Sequence, residues 1–345
     1  MIRILFLLWL AFFSTGCLVA ESGVEDITSF SLFKKIDLND LTDGKILAER
    51  GDYSQMERGL RVESCFLLPQ SLAEATRTIT TWDPSLREKM DTYVNHFVTE
   101  TGSDAFKDLK FDPSKGPVRL FLQSTFNALK SDPDFPVTPE ELARLRSLGG
   151  SLTSRSPDSP EFIAVAENFW REILQKRYES FIHSGISHLP MVDEKKYPMV
   201  SEEIPGLLAE PTAIHDRFIH LYPATNLTPS PGLKLAPYYQ LQKADRIAAL
   251  ILGCYLSEEK ADRVQILDIE YYVSHTYFAS ATLYELHPVT TAKGPATLVW
   301  RADLVSAPSY QWLRGIQAMA AGALMVRSVK DEISEIIKSV HPETR

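Results

Sequence analysis

The chain has 345 residues, 44% of them hydrophobic and 23% charged, with a formal net charge of −9. That composition belongs to a globular protein with a sizeable core and excludes a disordered one. The acidic balance argues against a general nucleic-acid surface and against electrostatic docking on anionic lipid, and no Lys/Arg cluster forms a local basic groove.

Residues 1–20 read as an export signal: Arg3 supplies the positive start, Ile4–Phe13 is an unbroken apolar run, and Ser14-Thr15-Gly16-Cys17 closes it with small residues. The run is shorter than the roughly 20 apolar residues a membrane span needs. Two processing outcomes stay open. One is lipidation of Cys17 in a lipobox-like segment, in which Ser14 departs from the usual Leu; the other is ordinary cleavage nearby. Either outcome implies an exported protein, periplasmic or in the cell envelope, touching membrane only through an N-terminal lipid. Two further cysteines, Cys65 and Cys254, lie in apolar strand-like runs. They suit buried thiols, and in an oxidising compartment they also suit a disulfide.

Residues 21–43 form a polar leader with a short amphipathic piece at Leu32–Ile36. A strand is predicted at Lys45–Arg50 and another at Leu60–Leu68, stopped by Pro69. Ser71 and Glu74 make a capping box for a helix. Asp83-Pro84 is the N-cap and first residue of a second helix over 84–98, which would bury Leu86, Met90, Tyr93 and Phe97. Helices are also predicted from Pro117 and from Thr138, and a long one from Ser159-Pro160 to about His183, ended by Gly185. Residues 186–237 carry eight prolines and read as turns wrapped on a surface.

Strands return at Tyr238–Lys243 and Ile247–Leu256, the second of which fits a buried helix nearly as well. Strands follow at Val264–Ser274, Ala281–His287 and Ala296–Val305. Leu267, Ile269, Tyr271 and Val273 share one face of the period-two pattern; Asp268, Glu270, Tyr272 and Ser274 share the other. After Pro308 a long helix, Ser309–Val340, repeats apolar residues at helical spacing from Trp312 through Ile316, Met319 and Val326 to Ile337. Ile316, Met319 and Val326 are expected to pack on the Leu267 face. Gly315, Ala318 and Gly322 form a small-residue stripe, and each glycine costs about 1 kcal/mol against alanine. Close packing on the sheet or a bound ligand would offset that cost.

Strand, two helices, a run of antiparallel strands and a long C-terminal helix is an order that resembles the START-like (helix-grip) superfamily. The resemblance covers about residues 59–98 and 238–340, within a core domain taken as 44–98 and 238–340. It implies an α+β fold in which an antiparallel sheet packs on the C-terminal helix and an apolar small molecule or lipid sits between them. The departures are an extra leading strand and a large, mostly helical insertion at 99–237. On this reading Tyr271, Val273, Trp300, Gly315, Met319 and Gly322 line the ligand site, no cofactor is needed, and the protein is not an enzyme. An envelope protein–protein interaction scaffold with a filled core is the alternative.

Catalytic motifs are absent. His183/His188 and His215/His220 lack the four-residue spacing of paired metal ligands, and no cysteines stand at zinc spacing. No nucleophile elbow or phosphate-binding loop occurs. The strand residues Asp268, Glu270 and Asp303, beside Arg301 and near His275, allow two readings: cross-strand ion pairs on a solvated face, or a hydrolase-type acid/base pair. The lipobox reading has a direct test. Cys17→Ser should release the protein from the membrane fraction, and unchanged fractionation would exclude lipidation.

Overall fold

The computed structural model describes residues 23–52, 56–100, 102–190, 192, 196–223, 232–312 and 316–340. Cys17 and Gly315 lie outside them. A helix over 23–30 (α1) and a short helix, Leu38–Thr42 (α2), precede strands Leu47–Gly51 (β1) and Gly59–Leu68 (β2). Helix Leu72–Thr80 (α3) starts at Ser71 with both capping-box bonds made: Ser71 accepts from the Glu74 amide, and Glu74 accepts from the Ser71 amide.

The helix expected at 84–98 does not form. Asp83 does cap the turn Pro84–Leu86, but that turn and the next, Glu88–Met90, are single 3-10 turns. Asp91 then takes a left-handed conformation, φ 49°. Strand Thr92–Phe97 (β3) follows and leaves Leu86 77% exposed. Two things override the helical spacing: the left-handed residue and the ladder that Val94–Phe97 makes with Tyr238–Leu241.

Helices Gly116–Asn127 (α4), Pro139–Gly149 (α5), Pro160–Ser184 (α6), Val200–Leu208 (α7) and Thr212–Phe218 (α8) fill the insertion. α5 opens on a second complete capping box, Thr138 with Glu141. α6 ends at Gly185, whose φ of 71° favours glycine. Strands Leu233–Ala244 (β4), Ile247–Glu259 (β5), Val264–Val273 (β6), Ala279–Thr291 (β7) and Gly294–Ser306 (β8) return, and helix Ile316–Val340 (α9) closes the chain. The Ile247 run is therefore a strand; Asp245, at φ 60°, turns the chain tightly enough for β4 and β5 to pair along their length.

All eight strands form one antiparallel sheet in the order β1-β2-β8-β7-β6-β5-β4-β3. The architecture is α+β, with helices on both faces. One face carries Leu267, Ile269 and Tyr271 and buries them among Phe169, Phe181 and the rest of the insertion. The other carries Val62, Phe66, Ile266 and Tyr284 and meets Val329, Ile333 and Ile336 of α9 together with Ala75 and Ile79 of α3. α9 is thus on the opposite face from the one expected. Its first half stands clear of the sheet: Ile316 is 86% and Met319 69% exposed. The insertion had already claimed the Leu267 face, so α9 buries its later turns along β1 and β2.

Three strands separate Cys65 on β2 from Cys254 on β5. Four strand spacings of about 4.8 Å place them far beyond the roughly 7 Å that a disulfide spans. Both are free and buried, and burial pushes both thiols up, out of the reactive range.

The packing makes a sharp contrast. Ile333→Ala should cost about 2–5 kcal/mol, the range for a buried large-to-small change, whereas Met319→Ala should stay within about 0.5 kcal/mol. Denaturant unfolding of the two variants checks this, and a large loss at Met319 would contradict the placement of α9.

Candidate functional site

A β-bulge in β6 sets up the site. Glu270 pairs with Gly253 and Tyr272 with Leu252, so Tyr271 is an extra residue on β6. One added residue reverses the alternation, and Tyr271 and Tyr272 both turn towards the helical insertion. Tyr271 stacks on Phe181 of α6, centroids 4.0 Å apart and planes 12° from parallel. Tyr272 donates to the Pro136 carbonyl (3.2 Å) and lies under the Arg177 guanidinium, 4.4 Å from its centroid.

Between this end of β6 and the segment joining α6 to α7 lies a cavity of about 400 Å³. Its wall is largely apolar, with Ile186, Leu189, Pro190, Met199, Val200, Val273 and Phe278 among its residues. Tyr271 also lines it, and the Tyr271 hydroxyl is buried with no hydrogen-bond partner among the described residues. Burial pushes this phenol well above its ordinary range, so it stays protonated.

The polar groups at the cavity are mostly committed elsewhere. Arg177, 3% exposed, makes a bidentate pair with Glu141 at 2.6 and 2.9 Å, and Glu141 is also the carboxylate of the α5 capping box. His275 is wedged between Phe121 and Phe135. Its Nδ1 lies 2.9 Å from Ser274 Oγ and its Nε2 3.0 Å from Ser124 Oγ. Ser274 Oγ already accepts the Leu250 amide, so its hydroxyl proton is free for Nδ1. In the neutral ring the proton then sits on Nε2 and faces Ser124, whose own hydroxyl donates to Asp134. His275, then Ser124, hold the Asp134 carboxyl down to about 2. A nucleophilic serine must donate to its histidine; Ser124 donates to the carboxylate instead. The three groups form an anchor.

His275 is also apart from the acidic strand residues. Asp268, Glu270, Asp303 and Arg301 lie on the α9 face, where Arg301 bonds Asp303 (2.6 Å) and Glu332 of α9 (2.7 Å). Asp268 accepts from Tyr238 (2.9 Å) and Glu270 from Tyr277 (2.8 Å). Asp303 is 6% exposed and Arg301 4%, which replaces the solvated-face reading with a buried polar row.

The remaining residues expected at a ligand site are scattered. Trp300 is wholly buried against Phe30 and Phe218 and donates to Glu63 (3.1 Å). Met319 points to solvent. Gly322 is explained by a neighbouring side chain: a Cβ there would lie 2.3 Å from Arg50 Cδ, and Arg50 crosses the helix to donate to the Ala318 carbonyl (2.8 Å). The cavity thus keeps Tyr271 and Val273 of the predicted set.

One group escaped the sequence reading because its members lie far apart in the chain. Asp26, Glu285 and His287 bring ligand atoms within 4.8 Å of one another. Arg217 fills the cation's place there, donating to Glu285 (2.5 Å) and to Asp26. Burial alone would raise the Glu285 carboxyl, but His287 and Arg217 hold it down to about 2. The group ties α1 and α8 to the sheet as an ion-pair network. Among the described residues no helix is long and apolar enough to cross a membrane. No protein-family model matches the chain, and no curated protein matches it.

Removing the cation from a buried pair costs about 3–5 kcal/mol, so Arg217→Ala should lower stability by that order at neutral pH. Glu285 has a folded value below its unfolded 4.5. Its contribution is therefore complete above about pH 4.5 and is lost as pH falls towards 2. The stability gap between wild type and Arg217→Ala should close over that window in thermal melts. A gap independent of pH would refute the ion-pair account.

Proposed function

We propose that this is an exported, non-enzymatic protein that binds an apolar small molecule in the cavity beside Tyr271. The observation that carries the reading is that cavity of about 400 Å³, apolar in its walls and lined by Tyr271. Ligand pockets of soluble proteins typically occupy about 300–1,000 Å³ and combine apolar walls with a few orienting polar groups. Ser201 and Thr276 supply polar groups in its lining. The unbroken apolar run before Cys17 supports export. A START-like, helix-grip origin of the core draws support from the sheet order, in which β2 lies beside β8 and β8 back to β3 follow in sequence order. The ligand position differs from that resemblance, since the cavity lies on the insertion side of the sheet.

A scaffold role has one observation in its favour: Trp312, Ile316, Met319 and Leu324 leave an exposed apolar strip on and before the first turns of α9. The two readings separate in a binding experiment. Purified wild type should take up a fluorescent fatty-acid probe saturably. Leu189→Trp, which places a large ring in the cavity, should weaken uptake at least about tenfold, equivalent to 1.4 kcal/mol, with little change in melting temperature. Absence of uptake by wild type, or equal uptake by the variant, would remove the binding reading and leave the scaffold one.

A further inference from the structure

The turn that joins β6 to β7, residues 274–278, runs along the cavity, and Ser274, His275, Thr276, Tyr277 and Phe278 all line it. Its backbone is unusual at one position. Among the described residues, three that are not glycine have a positive φ. Asp91 and Asp245, at 49° and 60°, take ordinary left-handed values that aspartate tolerates. Thr276 is β-branched, and its φ is 81°. The Tyr277 amide donates across it to the His275 carbonyl (3.0 Å), which closes a γ-turn centred on Thr276. The positive φ makes this the rare, strained form of that turn and not the common inverse one. Glycine would adopt the same backbone freely; a threonine stays there only where its neighbours over-determine it.

Every residue of the turn has a tie of its own. Ser274 donates its amide to the Leu250 carbonyl (3.0 Å) and accepts the Leu250 amide on Oγ (2.8 Å). The His275 ring is wedged between Phe121 and Phe135. Thr276 Oγ1 donates to the Ala244 carbonyl at the end of β4 (3.1 Å). The Tyr277 hydroxyl donates to Glu270 (2.8 Å), and the Phe278 amide to the Ser306 carbonyl (2.8 Å). These ties act on both sides of Thr276. The γ-turn reverses the chain within three residues, so His275 stays anchored to Ser124 of α4 while Tyr277 and Phe278 come back to the same cavity.

We infer that Thr276 is a positioning residue for the ligand of this cavity: the strained γ-turn fixes the wall made by Tyr277 and Phe278 before a ligand arrives. This role rests on the cavity being a ligand site, as proposed above. Strained backbone clusters where a site gains from a fixed shape, and a wall set in advance lowers the ordering cost that binding must meet. Thr276 is itself exposed, and its hydroxyl proton is committed to Ala244, so its effect runs through the turn.

The test pairs saturation binding of the fluorescent fatty-acid probe with thermal melting, for wild type, Thr276→Gly, Thr276→Ser and Leu189→Trp. Thr276→Gly relieves the strain and frees the turn, so it should melt at or above the wild-type temperature yet bind the probe about tenfold more weakly. A residue that only supports the fold would lower both readouts together. Thr276→Ser keeps the donor to Ala244 and should bind within about threefold of wild type. Three results would overturn the role of Thr276: Thr276→Gly binding as tightly as wild type, Thr276→Gly melting below wild type, or Thr276→Ser losing as much affinity as Thr276→Gly. Leu189→Trp tells that failure from failure of the cavity itself. Weakened uptake by Leu189→Trp with unchanged uptake by Thr276→Gly removes the role of Thr276 alone. No uptake by wild type, or uptake indifferent to Leu189→Trp, removes the cavity as a ligand site and the role of Thr276 with it.

Discussion

An eight-stranded sheet with apolar residues on both sides is stable in water only when both faces are covered, and that requirement arranges the rest of this molecule. The insertion between β3 and β4 supplies one cover. It is anchored by large rings, Phe121, Phe169, Trp170 and Phe181, buried over the Leu267 face. α3 and the last turns of α9 supply the other cover, through Ile79, Val329, Ile333 and Ile336. α9 reaches only part of its face, and the uncovered part is where the polar side chains collect.

Buried charge is handled differently on the two sides. Towards the insertion, each buried acid meets an arginine: Glu141 with Arg177, Glu285 with Arg217, Glu203 with Arg58. Such pairs join segments distant in the chain, and each is costly to break from one side because the remaining charge is left buried. Towards α9, Arg301 serves Asp303 and Glu332 while Asp268 and Glu270 rely on tyrosine hydroxyls. The first pattern fixes a fold. The second leaves the β6 acids without an arginine, and burial raises both above their ordinary values.

Tyr277 stands where the two regions meet. Its ring lines the apolar cavity and its hydroxyl donates to Glu270 on the α9 side. Glu270 in turn lies next to the bulge that turns Tyr271 and Tyr272 towards the insertion. One distortion at the end of β6 thus places an aromatic wall on one face and a carboxylate on the other.

Local signals in the sequence were sufficient wherever a few neighbouring residues fix the backbone. Ser71 with Glu74 and Thr138 with Glu141 cap helices as their spacing dictates, Gly185 ends α6, and the β6, β7 and β8 strands follow from alternation. Local signals failed where a distant partner outweighed them. The 84–98 spacing suits a helix, but β4 offered Val94–Phe97 a strand ladder. Which face α9 would cover was not legible, because both faces of β6 are apolar enough and only the prior claim of the insertion decides. The bulge at Tyr271 leaves no mark in the period-two pattern, since it exists only in register with β5. The candidate site was readable to the extent of Tyr271 and Val273, aromatic and apolar residues on one strand. Its other wall comes from residues 186–200, and the buried polar row on the α9 face joins positions from 238 to 332. Contacts at that separation are created by strand order, and strand order is set by which surfaces the whole chain can bury at once.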